Sequence, residues 1–427
     1  MEITRLYQYF KTCNGVATDT RKLNHGSLFF CLRGENFNGN RFAQDALDAG
    51  AKYVVYDDKD FKPASENALF VENSLTALQA LARYHREQLN IPVIGLTGSN
   101  GKTTTKELIY AVLSQKFDVL ATHGNLNNHI GVPLTLLRMN ASTEIALIEM
   151  GANHRGEIAF LSEIARPTIG YITNFGKAHL EGFGGVEGVV LGKSELYTFL
   201  RETKGKAIVN GDDEKQLQQS KGLNQIVFGA KQDKALQMHN STNEAGFCVV
   251  HSNGMEITSN LTGAYNFSNL NAAVAMGVFF ELSPEQIQQG IASYTPTNNR
   301  SQWKKTEKNR LLLDAYNANP SSMTAALKAF SSSNNAGKVV ILGDMLELGE
   351  YSTTEHQSIV DQLEKLHFEK VYLVGPFFES TNYPKYFNVF KTTAEVSIAL
   401  QEHNLEGKTI LLKGSRGIAL EQLLDQL

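Results

Sequence analysis

The stretch Thr97-Gly98-Ser99-Asn100-Gly101-Lys102-Thr103-Thr104 combines glycines, a lysine and hydroxyls at a spacing suited to phosphate chemistry. Gly98 and Gly101 let the backbone curl so that successive N–H groups converge on an anion, and a helix starting near Lys102 adds its positive end. Gly98, Ser99, Asn100, Gly101, Lys102, Thr103 and Thr104 are therefore a candidate nucleotide-binding loop, and ATP is the nucleotide expected. Lys102 would reach the outer phosphates as a point charge, and the Thr103 hydroxyl is placed to ligate magnesium. The generic G-x-x-x-x-G-K-[ST] spacing asks for glycine at position 96, where this chain has Leu96, so a shorter loop is implied. The plainer alternative, a glycine-rich turn with an exposed lysine, fits poorly behind the apolar run Val93-Ile94-Gly95-Leu96.

Other stretches end apolar runs in the same way. In Ile145-Ala146-Leu147-Ile148-Glu149 a carboxylate stands at the C-terminal end of a strand-like segment, where open α/β sheets place their ligands. A hard cation held by phosphates needs such an oxygen, which makes Glu149 a second candidate magnesium ligand. His179 follows another strand-like run on a loop, and a lone histidine there is more often an ordinary polar residue than a ligand. Lys193 reads from patterning alone as a helix-surface lysine. The segment Asp314-Ala315-Tyr316-Asn317-Ala318-Asn319-Pro320 sets an acid, a phenol and two carboxamides before a proline suited to a first helical turn. That crowding suits recognition of a small polar ligand, and equally a loop that caps the next helix. Residues 343–350 and 412–417 add two more polar strand ends.

These residues need elements to hold them. From Val93 onward, strand-like runs at 144–150, 168–173, 207–210 and 225–228 alternate with helical stretches near 103–116, 154–165, 187–201 and 213–220, which implies a parallel sheet covered on both faces. A small β excursion is expected between about 230 and 262, followed by a helix over 266–281. A second alternating set has strands at 310–314, 339–343, 370–374 and 409–413, with helices beginning near 320, 352, 393 and 417, and reads as another doubly wound unit. Residues before 90 form a compact mixed segment closed by a helix from 75 to about 89. Asn90-Ile91-Pro92 and the stretch around Pro296, Asn298 and Asn299 are the candidate linkers. The fold class expected is α/β in three domains: 1–90, 91–299 with a phosphate-loop ATPase-like parallel sheet, and 300–427 with a Rossmann-like sheet.

The 427 residues carry a formal net charge of −4, which argues against a nucleic-acid surface. Cys13, Cys31 and Cys248 are too few for a disulfide framework or a zinc site, so a reducing cytoplasm is expected. No run approaches a membrane span.

Taken together, these stretches resemble the Mur ligases, ATP-dependent amide-forming enzymes of peptidoglycan synthesis. The family's short loop T-G-[ST]-N-G-K-T-[ST] matches residues 97–104 and accounts for Leu96. Asp314-Ala-Tyr-Asn-Ala-Asn-Pro, Gly343-Asp-Met-Leu-Glu-Leu-Gly, Lys413-Gly-Ser-Arg and Asn127-Asn-His-Ile-Gly-Val-Pro-Leu-Thr look like the branch that extends UDP-N-acetylmuramoyl-tripeptide with D-alanyl-D-alanine. The resemblance implies those two partners, a monomer, and chemistry in which a carboxylate is phosphorylated by ATP and the acyl phosphate is then attacked by an amine. It implies that Lys102 stabilises the transferring phosphoryl, that Thr103 and Glu149 hold one Mg2+ and that His179 helps hold a second. Lys193 matches the lysine that several members carry as a carbamate. Arg300 resembles the hinge arginine that reaches the phosphates, Asp314 the acid that holds the ribose, and Asn271 the residue that meets the adenine. Tyr316, Asn317 and Asn319 stand where the incoming amine must enter, with Asn128 as a further substrate contact. Thr20 and Arg21 fall in the family's UDP-sugar module, where Asp-Ser-Arg is usual. A folylpolyglutamate synthetase and the ligase that adds the third stem residue share the loop, and Tyr316-Asn-Ala-Asn-Pro320 disfavours both.

Overall fold

The computed structural model describes residues 1–231, 235–333, 335–403 and 405–427. Three parallel or mainly parallel sheets follow one another along the chain, so the class is α/β. The first sheet is small, with parallel strands in the order Val16–Ala17, Leu28–Phe30, Tyr53–Tyr56 and Ala68–Phe70. The helix Ser74–Glu87 closes this region, its N-terminus capped by the Asn73 side chain.

The second sheet has seven parallel strands. Their order is Leu236–Gln237, Asn224–Gly229, Lys206–Asn210, Ile169–Ile172, Val93–Thr97, Ile145–Glu149 and Val119–Ala121. Val93–Thr97 and Ile145–Glu149 are buried throughout, as a sheet covered on both faces requires. Alternation divides the side chains: Ile145 and Leu147 join the core that contains Leu108, Ile109 and Val112, while Ala146 and Ile148 face the other layer. Because both central strands run the same way, the loops after Thr97, Glu149 and Ile172 emerge along one edge.

The expected β excursion is a three-stranded antiparallel sheet, His239–Thr242, Phe247–Ser252 and Met255–Thr262. Its Cys248, Val250, Ile257 and Leu261 pack in one core with Leu270 and Val274 of the helix Phe267–Phe279. The last sheet orders Gln302–Lys305, Arg310–Leu313, Thr409–Lys413, Lys338–Gly343, Lys370–Val374 and Asn388–Phe390. Its first strand runs antiparallel to its neighbour. It carries Trp303, the sole tryptophan. The indole donates to Thr262 Oγ1 at 3.0 Å, back on the three-stranded sheet, and lies under the Arg310 guanidinium at 4.1 Å.

Two expectations change. The helix expected from 417 is instead two short 3-10 segments, Arg416–Ile418 and Leu420–Asp425, because Ala419 takes a left-handed φ of 56° that interrupts a continuous α-helix. The doubly wound pattern also omits the edge strand Gln302–Lys305, whose exposed Lys304 and Lys305 blur the apolar alternation.

The helix Lys102–Leu113, which begins at the glycine loop, is clamped by the helix Pro284–Ser293. Gly290 makes this possible: a Cβ there would sit 2.5 Å from Val112 Cα and 2.7 Å from the Ala111 carbonyl oxygen, both backbone atoms. Gly290→Ala should therefore push the helices apart at a cost of about 1–3 kcal/mol, read as a lowered thermal midpoint. A midpoint equal to that of the parent would show that the contact can relax freely.

Candidate active site

Gly98 and Gly101 adopt φ of 141° and 78°, which other residues rarely tolerate. Space is equally restrictive, since a Cβ on Gly98 would lie 2.0 Å from Thr173 Oγ1 and one on Gly101 2.4 Å from Asn269 Oδ1. The loop is braced against the end of the neighbouring strand. Thr173 Oγ1 donates to Asn100 O at 2.6 Å, Asn100 N–H donates to Asn174 Oδ1 at 3.1 Å, and Ser99 Oγ donates to Gly176 O at 2.8 Å. Lys102 folds over the loop and donates to Gly98 O at 2.7 Å and Ser99 O at 3.3 Å. Burial pushes its ammonium below the ordinary lysine value, with Glu149 opposing the shift and Arg300 adding to it.

Glu149 is 1 % exposed at the end of its strand. Its Oε1 accepts from Asn127 Nδ2 at 2.8 Å and from Thr103 Oγ1 at 3.3 Å. Its Oε2 has no hydrogen-bond partner, and the Lys106 ammonium stands 3.9 Å away. Lys106, also buried, donates to Thr122 O at 2.7 Å. A buried carboxylate oxygen left unpaired beside a threonine hydroxyl is the donor set a hard cation takes. Among the described residues no three His, Cys, Asp or Glu side chains form a cage.

His179 has a left-handed φ of 52°, and its Nδ1 pairs with the Glu347 carboxylate from the last sheet. That contact holds the Glu347 carboxyl below its usual range. Lys193 is fully buried in the helix Val186–Thr203, donating to Ala152 O at 3.0 Å and lying 4.8 Å from the Phe183 ring. Burial, then the charge of Lys102, lowers its pKa well below an ordinary lysine. It stands behind the cavity wall rather than on it.

The C-terminal loops complete the other side. The Arg300 guanidinium stacks 3.4 Å from the Tyr316 ring centre, with Arg416 at 5.7 Å. Asp314 Oδ2 accepts from buried Lys413 at 2.6 Å, and its Oδ1 accepts the Ser301 N–H at 3.1 Å. Asn319 caps the helix Pro320–Ser332 reciprocally with Ser322, as the capping reading of its segment asked, and its Nδ2 donates to Asn100 Oδ1 of the glycine loop at 2.7 Å. Asn317 Oδ1 accepts the Ala318 N–H.

One cavity of about 970 Å³ gathers Ser99, Asn100, Gly101, Lys102, Thr103 and Thr104 with Glu149, His179, Arg300, Asp314, Asn128, Tyr316, Asn317 and Asn319. Gly98 lies beneath its floor. Asn271 does not line it: this side chain is 4 % exposed in its helix, and Asn269, one half-turn earlier, faces the cavity and accepts from Thr105 Oγ1 at 3.0 Å. Asn128 Oδ1 is occupied by the Ile130 and Gly131 N–H groups, while its neighbour Asn127 reaches Glu149. Thr20 and Arg21 lie outside the cavity, with Arg21 exposed and paired to Asp19 at 2.8 Å. Sequence reasoning passed over Lys106 and Asn269, and quoted Asn127, Glu347 and Lys413 within motifs without giving them a role. For Lys106 a signal was present, since four residues after Lys102 it shares a helix face with it.

The family models that match are the Mur ligase catalytic domain over residues 12–86, the Mur ligase middle domain over 96–277 and the Mur ligase glutamate ligase domain over 299–416. The UDP-N-acetylmuramoyl-tripeptide--D-alanyl-D-alanine ligase of Bacillus subtilis (strain 168) is 38% identical over 435 residues, covering 98% of this chain and 94% of that protein. A crystal structure of MurF from Acinetobacter baumannii superposes with a TM-score of 0.87 at 31% identity, covering 100% of this chain and 98% of the other. MurF from Thermotoga maritima in complex with ADP superposes at 0.85 with 27% identity, covering 98% and 97%. Matched by three family models and by a relative over nearly its whole length, the chain belongs to the Mur ligase family.

Proposed function

We infer that this protein is an ATP-dependent amide ligase that joins D-alanyl-D-alanine to UDP-N-acetylmuramoyl-tripeptide in peptidoglycan precursor synthesis. The observation that carries the reading is the single cavity in which a glycine loop with Lys102, a half-satisfied buried Glu149 and the Asp314–Asn319 loop face one another. Residues 1–90 serve as the UDP-sugar module, with Thr20 and Arg21 as contacts. Residues 91–299 act as a phosphate-loop ATPase-like unit, and 300–427 as a Rossmann-like unit that receives the dipeptide. The protein acts as a monomer in the cytoplasm, and among the described residues no helix is long and apolar enough to cross a membrane.

A carboxylate attacking a triphosphate meets like charge, so positioning and neutralisation must supply most of the rate. The substrate carboxylate oxygen attacks the γ-phosphorus as the bond to ADP breaks, and the dipeptide amine then displaces phosphate from the acyl carbon. Lys102 and Arg300 bring positive charge to the transferring group, and Asp314, steadied by Lys413, addresses the ribose. Thr103 and Glu149 would hold one Mg2+ and His179 would help hold a second; bound magnesium neutralises phosphate charge. Lys193 contributes as a carbamate. Its depressed pKa favours the neutral amine, the form that adds CO2 with loss of a proton, and the product would carry two oxygens where an ammonium has none. Asn269, rather than Asn271, faces the nucleotide side of the cavity.

Lys102→Ala should remain folded and lose at least roughly a hundredfold in phosphate release when assayed with the tripeptide substrate and D-alanyl-D-alanine. Near-parental turnover would overturn the loop assignment. Lys193→Ala should lose activity and regain part of it with formate or acetate, which supply carboxylate oxygens; wild-type activity in bicarbonate-depleted buffer would remove the carbamate role.

Asn317 and Asn319 separate by their contacts. Asn317→Ala should raise the apparent KM for D-alanyl-D-alanine about tenfold while leaving that for ATP unchanged, whereas Asn319→Ala should raise both, because Asn319 bonds Asn100 in the glycine loop. Equal effects of Asn317→Ala on both substrates, or efficient use of free D-alanine, would reassign the amine site.

A further inference from the structure

A second cavity, of about 620 Å³, opens at the far end of the central sheet from the glycine loop. Pro92, Thr168 and Lys206 line it, so it sits where three adjacent strands enter the sheet, while the catalytic cavity lies where they leave it. Arg86, from the helix Ser74–Glu87, forms its polar wall and is only 7 % exposed. The guanidinium donates to Leu89 O at 2.7 Å, Ile91 O at 3.3 Å and Arg166 O at 3.4 Å, and its Nε has no partner. Carbonyl groups satisfy N–H donors without neutralising the charge. Glu87, next in sequence, pairs with Arg83 at 3.2 Å and Arg166 at 3.9 Å instead. Burial and the nearby Arg166 charge depress the Arg86 pKa, with the Glu87 carboxylate opposing the shift.

Of the other cations in the lining, Arg166, Lys204 and Lys206, two rest on ring faces. Lys206 stands 5.0 Å from the Phe279 ring centre and Arg166 5.5 Å from Phe199, with Phe280 completing an aromatic wall. Cations lying against aromatic rings, in a lining that also holds the Glu87 carboxylate, offer positive charge and flat apolar surface together to a ligand with a negative head and an apolar body. The tether to Leu89 and Ile91 explains why an arginine is useful at the joint, but leaves its charge unanswered.

We propose that this cavity binds a small organic anion, its carboxylate or phosphate set against Arg86, Arg166 and Lys206 and its flat apolar body against Phe199, Phe279 and Phe280. The site is separate from the catalytic cavity and shares no lining residue with it.

The test uses the full chain and 4-fluorobenzoate followed by fluorine NMR. Saturable binding is expected, undisturbed by ATP, with the neutral 4-fluorobenzamide weaker by about tenfold, or 1.4 kcal/mol. Because Arg86→Gln would also loosen the linker, the variants of choice are Lys206→Gln on the rim and Phe279→Ala on the wall, each expected to weaken the probe about tenfold without altering phosphate release. Phenyl phosphate in place of the benzoate distinguishes the two head groups, and saturable binding of either supports the site. Absence of saturation for both, equal affinity for the benzamide, parental affinity in both variants, or displacement by ATP would overturn it.

Discussion

The close approach of Gly98 to Thr173 is the constraint on which the catalytic cavity depends. With 2.0 Å between a notional Cβ and the threonine hydroxyl, the loop can pass only as glycine, and the same hydroxyl then bonds Asn100 and locks the curl. The helix that follows inherits its direction from that lock and is held from behind by the contact at Gly290. The shape of the loop is thereby set by contacts within the protein, which is the preorganisation that electrostatic catalysis requires.

Charge is arranged around this loop with little left over. Glu149 is buried with one oxygen hydrogen-bonded and one not, Lys106 forms a long ion pair with that second oxygen at 3.9 Å, and Lys102 is turned onto the loop's own carbonyls. Each is a costly burial considered alone. Together they set one carboxylate and two ammonium groups in a region that must accept a polyanion and the cations that accompany it. His179 and Glu347 extend the arrangement across to the last sheet, which ties the geometry of the acceptor side to the position of the C-terminal loops.

Much of this was legible in the sequence because parallel sheets buried on both faces leave long apolar runs whose ends announce themselves. Glycine pairs and a lysine after Val93–Thr97, and a carboxylate after Ile145–Glu149, could be placed without coordinates. Partners that come from distant segments could not. Whether Asn269 or Asn271 faces the loop is a matter of helix phase, about 200° apart over two residues, and resemblance pointed to the one that does not line the cavity. The helix phase of Lys106 was legible, but its partners were not, because the Thr122 carbonyl and Glu149 come from segments distant in sequence. Edge strands such as Val119–Ala121 and Asn388–Phe390 are too short to leave a periodic signal.

The position of Trp303 has an optical consequence. One indole among 15 tyrosines and 23 phenylalanines collects most of the long-wavelength emission of the chain, and this one stands on the edge strand of the last sheet while bonding a threonine of the preceding one. A cation stacked on its ring and a hydroxyl on its N–H both influence its excited state. The molecule therefore carries a native chromophore at the seam between its second and third parts, so that a change in their relative orientation is written into its own fluorescence without a label.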